Sequence, residues 1–422
     1  MKQNKKEKQI NTNTKQNNKV KVILPITLVL LVILGVVVFA FSNNKNLEMA
    51  TVNEETTKAE TKELVLEDNK YMHVETDASG DQVPVPNGFV GSSVAGENEI
   101  DTGFVIYEGE EEVTDSNVAD AQKTRNQYVW VPVPDPSKFY GTDANGKRWG
   151  KNYTFSTSTS SKYNQVTGTR PNNWSESNGV MSISSTTSYR EPDVVVKDGN
   201  TGYDMDSRLR TLGLGAETTH EFLFQLEKEF NKMIDSVEKY GGFYIGRYET
   251  GNLNRAEVVV KKGNSSILNI TWYDSYKKCK TLSNNNNNVV TGLIWGNQWD
   301  RTLMWLIECN TQNPETGKSK EEVISDSESW GNYPNSTGEA ETGHGSRRPT
   351  GYNEAWKANN IYDLAGNVRE WNMEADDTYL RGVRGGDFSL NFGSNYPPAS
   401  LYNYNPTIIE NYIGCRATLY IK

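Results

Sequence analysis

From Thr219 to Tyr240 apolar residues recur at Leu226, Phe230, Met233, Ile234 and Val237, the spacing of one helix face, before Gly241-Gly242 ends the run. Thr218 or Thr219 can cap its start. Phe243 to Glu249 then reads as a buried strand. Upstream, Val83 to Phe89, Gly103 to Tyr107 and Tyr128 to Val133 are short strand-like runs divided by Gly, Asn and acidic turns. Further helices are predicted at Trp272 to Leu282 and Asn297 to Glu308, with the asparagine run Asn284 to Asn288 as a loop between them. Residues from about 140 to 215 are dominated by Ser, Thr, Asn and Gly and read as a polar surface insertion. Strands mixed with a few helices and many loops imply an α+β domain.

A different pattern opens the chain. Val22 to Phe41 is an uncharged run of about the length that spans a bilayer core. Ahead of it lie Lys2, Lys5, Lys6, Lys8, Lys15, Lys19 and Lys21 against a single acidic residue, Glu7. That bias predicts a cytoplasmic basic segment (1–21), a transmembrane helix (22–41) and a cell-membrane protein with its remainder outside. A cleaved signal peptide ending near Ala40-Phe41-Ser42 is the other reading, and the length of the apolar run favours a retained anchor. Residues 42–68 are polar, lack aromatics and read as a disordered stalk. Residues 69–124 read as a β-rich segment preceding a main domain at 125–422.

Charge and cysteine content narrow the function. The chain has 422 residues and a net charge of -10, with no basic patch past the N-terminus, so nucleic acid is not an expected partner. Its three cysteines, Cys279, Cys309 and Cys415, are too dispersed for a metal cluster and too few for a disulfide scaffold. Three histidines cannot supply a histidine-rich metal site.

Tyr128-Val129-Trp130-Val131-Pro132, Gly242 to Glu249, Gly292 to Asp300, Tyr362-Asp363-Leu364-Ala365-Gly366-Asn367-Val368-Arg369-Glu370-Trp371, Arg384-Gly385-Gly386 and Gly414-Cys415-Arg416 occur in this order. Together they resemble the formylglycine-generating-enzyme (sulfatase-modifying factor) family, whose domains have a C-type-lectin-like fold. The Gly-Asn-Val-x-Glu-Trp and Arg-Gly-Gly pair is the specific part of the signal. Enzymes of that family oxidise a substrate cysteine with a cysteine pair near the C-terminus and a bound copper ion, since soft thiolates suit copper(I). Here no cysteine lies between Arg384 and Gly414, and Cys415 stands where the family has a core phenylalanine. The resemblance therefore implies the fold without the oxidase chemistry, and no copper is expected. It also implies a structural Ca2+ site, with Asn367, the Val368 carbonyl and Glu370 as matching ligands. The competing role for these residues is a turn at Asn367 and an arginine partner, such as Arg384, for Glu370.

The segment between the two framing motifs further resembles the variable region of diversity-generating-retroelement target proteins, which share this fold. Adenine mutagenesis of AAC codons cannot produce Lys, Gln, Glu, Met or Trp. These types make up 91 of the 422 residues, so 29 consecutive positions should hold about six; Asp387 to Cys415 holds one, Glu410. Aromatic and amide side chains on a held loop suit recognition. Leu390, Phe392, Tyr396, Leu401, Tyr402, Tyr404, Ile408, Ile409 and Tyr412 are the expected contact residues, forming an apolar patch of the kind that marks an interaction site. Phe388, Trp299, Trp305 and Trp371 are expected in the core. The reading is a non-catalytic, membrane-anchored surface binder of a protein or glycan ligand on another cell, host or phage. A formylglycine-generating-type oxidase and a fixed structural envelope module are the alternatives.

Overall fold

The computed structural model describes residues 66–142, 148–150, 210–217, 219–252, 257–376, 380–389 and 396–422, with Leu64, Gly146 and the backbone of several strands between 152 and 189. One compact unit spans Glu63–Lys422. Among the described residues no helix is long and apolar enough to cross a membrane; the apolar run at 22–41 and the stalk lie outside them.

The N-terminal strands β1 (Met72–Thr76) and β2 (Gln82–Pro86) form an antiparallel hairpin. β3 (Phe89–Gly91), β4 (Val105–Glu108), β5 (Gln127–Pro132), β6 (Gly242–Gly246) and β7 (Val289–Leu293) belong to the main sheet, completed by a C-terminal strand β12. Its order is β7-β12-β6-β5-β4-β3, with β12 at Ala417–Ile421. Residues 89–108 thus extend the main sheet through β3 and β4, which pair with β5. β5 and β6 are buried almost throughout, and Tyr244 of β6 reaches the hairpin, its hydroxyl donating to the Pro84 carbonyl of β2 at 2.9 Å.

Helix α1 (Thr219–Tyr240) has the predicted bounds. Leu226, Phe230, Met233, Ile234 and Val237 are fully buried, and Gly241, at φ +81°, ends the helix in a conformation that side chains disfavour. α2 (Trp272–Thr281) starts at Thr271, whose hydroxyl accepts from the Asp274 amide at 3.0 Å. α3 (Gly296–Asn310) carries Trp299 and Trp305 into the core, and a short α4 (Lys320–Ile324) follows. The polar stretch after 140 contains antiparallel hairpins, such as Asn152–Thr157 with Ser160–Thr169.

A second sheet carries the C-terminal motifs. β8 (Arg369–Asp376) pairs antiparallel with β9 (Leu380–Arg384), and β9 with β10 (Leu401–Tyr404). On its other edge β8 pairs in parallel with β11 (Ile413–Cys415) and, beyond Trp371, antiparallel with Ser188–Tyr189. The α+β class read from the pattern is the class the chain adopts.

Candidate functional site

The segment from Gly385 to Tyr412 leaves the end of β9 and returns on β11, so its two feet flank the same strand, β8. Gly385 and Gly386 make the departure at φ +94° and +72°; a Cβ on Gly386 would lie 2.5 Å from the Tyr396 carbonyl. The frame then holds the segment by its backbone oxygens. Tyr333 Oη donates to the Gly385 and Tyr396 carbonyls at 3.1 and 2.9 Å. Trp299 Nε1 donates to Pro398 at 2.9 Å and Arg384 Nη1 to Ala399 at 2.8 Å. The Trp272, Asn269 and Arg369 amides donate to Pro406, Glu410 and Tyr412 at 3.0, 3.1 and 2.9 Å. Carbonyls are common to all residue types, so this grip does not depend on which side chains the segment carries.

Tyrosines of the segment converge on one cation. Arg369 is almost fully buried, and its guanidinium lies 4.9 Å from the ring centre of Tyr402, 5.5 Å from Tyr412, 5.6 Å from Tyr396 and 5.7 Å from Tyr404. Its Nη1 also donates to the Tyr404 hydroxyl. Arg369 Nε sits 3.0 Å from Asp387 Oδ2, an ion pair whose alignment falls short of a hydrogen bond. Tyr396 and Tyr402 pack against each other at 5.3 Å. A guanidinium face suits such a cluster because it stacks on rings and pairs with a carboxylate at once.

The predicted contact residues therefore divide. Tyr396, Tyr402, Tyr404, Tyr412 and Ile408 are half-buried and pack against the core, Leu401 is half-buried, and Ile409 is 58% exposed. Leu390 and Phe392 lie outside the described residues. Among the described residues the expected apolar patch consists of these half-buried tyrosines with Leu401 and Ile408, beside the exposed Ile409. Phe388 is half-buried, and Trp299, Trp305 and Trp371 are core residues. Sequence reasoning missed Arg369 and Asp387. Asp387 left a signal, an acid directly after Arg-Gly-Gly, whereas Arg369 stands among Asn367 and Glu370 in a polar stretch of its motif.

The framing motifs are built from buried charges. Arg384 lies between Glu374 (2.7 and 2.8 Å) and Asp300 (3.3 Å). Glu370 takes Arg416, not Arg384, as its partner, at 2.6 to 3.1 Å through both oxygens. Asn367, at φ +55°, accepts from Asn332 Nδ2 and the Arg348 amide at 3.0 Å each, and donates to Glu249 at 2.7 Å. Val368 N donates to the same carboxylate at 3.1 Å. As placed, these residues do not fit a calcium ion: Arg416 already fills the Glu370 carboxylate, and the Asn367 oxygen faces two N–H donors. Asp363 accepts from Gly351 N at 3.0 Å through one oxygen, while the other has no hydrogen-bond partner. Burial pushes its carboxyl up to about 7, and burial also raises Glu249 and Glu370.

All three cysteines are buried. The Cys279 and Cys415 sulfurs are 3.8 Å apart with both side chains inaccessible, and the hydrogen bond to Cys415, then burial, pushes the Cys279 thiol up. Burial pushes Cys309 up to about 12.

No protein-family model and no curated protein matches this chain. Solved structures do. The chain is similar to PvdO from Pseudomonas aeruginosa at 16% identity, over 43% of this chain and 82% of that one, with a TM-score of 0.28. It is similar to CarF at 16% identity, over 43% and 87%, with a TM-score of 0.30. Treponema denticola variable protein 1 matches at 16% identity, over 43% and 85%, also at 0.30.

Proposed function

We propose that this chain is a non-catalytic surface binder in which residues 385–412 form a recognition face whose side chains are diversified by a retroelement. The observation that carries the reading is the backbone grip: Tyr333, Trp299, Arg384, Trp272, Asn269 and Arg369 bind carbonyls of the segment, so its side chains can change while its path is kept. The near-absence of Lys, Gln, Glu, Met and Trp from 387–415 agrees with adenine mutagenesis. Ile409 and the outer edges of Tyr396, Tyr402, Tyr404 and Tyr412 offer rigid aromatic and aliphatic contact area. The ligand is a protein or glycan on another cell, host or phage, reached from a single-pass anchor at 22–41 that leaves the C-terminal domain outside. An oxidase reading needs a thiol that a substrate can reach, and Cys279, Cys309 and Cys415 are all buried.

Sequencing the DNA around the gene tests this directly. The expected result is a near-copy of codons 385–416 beside a reverse-transcriptase gene, differing from the coding copy only at adenines. Absence of both the copy and the reverse transcriptase removes the diversification and leaves a fixed module of the same fold.

A further inference from the structure

Cys279 and Cys415 stand 136 residues apart in sequence and meet in the core. Cys279 lies in the last turn of α2, and Cys415 ends β11, the strand on which the recognition segment returns. Their sulfurs touch at 3.8 Å, with both side chains inaccessible to solvent. Both carriers are pinned. The Thr250 amide donates to the Cys415 carbonyl at 2.9 Å, and β11 pairs with β8 from Ile413 to Cys415. A Cβ on the neighbouring Gly414 would lie 2.7 Å from the Ile267 carbonyl, so β11 has no room to shift that way. α2 is tied to the same β8 through Trp272, whose indole donates to the Asn372 carbonyl at 2.8 Å. The third thiol, Cys309, belongs to α3 and bonds the Asn359 side chain instead.

The fold therefore gives Cys279 and Cys415 one another as partners. We infer that they are joined as a cystine that ties α2 to the returning foot of the recognition segment, an inference that rests on the proposed display of this domain outside the cell, where disulfides form and persist. The oxidant is a small-molecule disulfide or a disulfide oxidoreductase. The Cys279 thiolate attacks it to give a mixed disulfide and one free thiol; the Cys415 thiolate then displaces the second. One S–S bond replaces two S–H bonds, and the oxidant, reduced to two thiols, takes up both protons. The exchange belongs to folding, before burial closes over the sulfurs.

A cross-link spanning 136 residues removes much of the freedom of the unfolded chain. It also lies beyond 385–412, so every variant of the recognition face shares it. The backbone grip fixes the path of the segment, and the cystine would fix the strand that receives its end.

The test begins with the full chain unfolded in reductant and refolded in a buffer of reduced and oxidised glutathione. Thiols still free in denaturant are then alkylated with iodoacetamide and located by mass spectrometry. The expected result is a single label, on Cys309, with the Cys279 and Cys415 peptides recovered as one species about 2 Da lighter than their sum. Restoring reductant should lower the melting temperature by roughly 5 °C or more. Cys279→Ala should take two labels and melt alike with and without reductant. Three labels on the refolded chain, a cross-link through Cys309, or a cross-linked chain that melts no higher than the reduced one overturns the inference. Should Cys279→Ala fail to fold, the label count on the unaltered chain decides. None of these outcomes touches the recognition reading, which rests on the DNA around the gene.

Discussion

Replacing Arg369 by alanine tests whether the tyrosine cluster is an organised unit. Arg369 and Asp387 are 5% and 1% exposed, so the substitution leaves a buried carboxylate without its cation. Breaking a buried pair from one side costs about 3–5 kcal/mol. Asp387 keeps two hydrogen bonds, from Ser389 N at 2.9 Å and Ser389 Oγ at 2.6 Å, which places the electrostatic part near the lower end. Four ring contacts, at roughly 0.5–1 kcal/mol each when partly shielded from water, bring the expected loss to about 5–7 kcal/mol. Arg369→Lys keeps the charge but not the planar face and should lose about half as much. The assay is urea unfolding of the single variants and of Arg369→Ala with Asp387→Ala. Because the second substitution removes the stranded charge, the double variant should be more stable than the sum of the singles by at least about 1.5 kcal/mol. A loss under about 1 kcal/mol for Arg369→Ala, or coupling below about 0.5 kcal/mol, refutes a desolvated pair at the centre of the cluster.

Asp363 gives a pH signature. Its carboxyl titrates near 7 in the folded protein against an ordinary value of 3.8, so the native state holds the proton more tightly. Its contribution to stability is therefore full below about pH 4 and is lost as pH rises to 7, by roughly 4 kcal/mol at 1.36 kcal/mol per unit. Asp363→Asn, tolerated at φ +60°, should flatten the unfolding free energy between pH 5 and 8; an unchanged slope contradicts the assignment. Ile409→Asp should alter stability by no more than about 0.5 kcal/mol and abolish binding to any ligand of the recognition face, as read by surface plasmon resonance once a ligand is in hand. The thiols should stay unreactive to Ellman's reagent in the reduced native chain and all react in denaturant; rapid native labelling of Cys279 or Cys415 would revive the oxidase reading.

Local periodicity carried most of the fold. α1 was legible from its apolar spacing and terminal glycines, and the buried tryptophans followed from their motif positions. What the pattern could not reveal was the pairing of buried charges. Glu370 lies 46 residues from Arg416, and nothing in local spacing prefers that partner to Arg384, which instead serves Glu374 and Asp300. Arg369 was hidden for a related reason: an arginine in a short strand reads as solvent-facing until both sheet faces are known to be covered.

The order of elements along the chain acts as a filter on variants of the recognition face. β12 follows that segment in sequence yet sits inside the main sheet, between β7 and β6. A stop codon or frameshift anywhere in 385–412 therefore removes an interior strand together with Arg416, the partner of Glu370. Such a product cannot close its core and is open to proteolysis, whereas an in-frame change of side chains leaves β12 in place. Only sequences read through to Ile421 would reach the folded state, so under the proposed diversification each variant would be proofread by folding before any ligand is met.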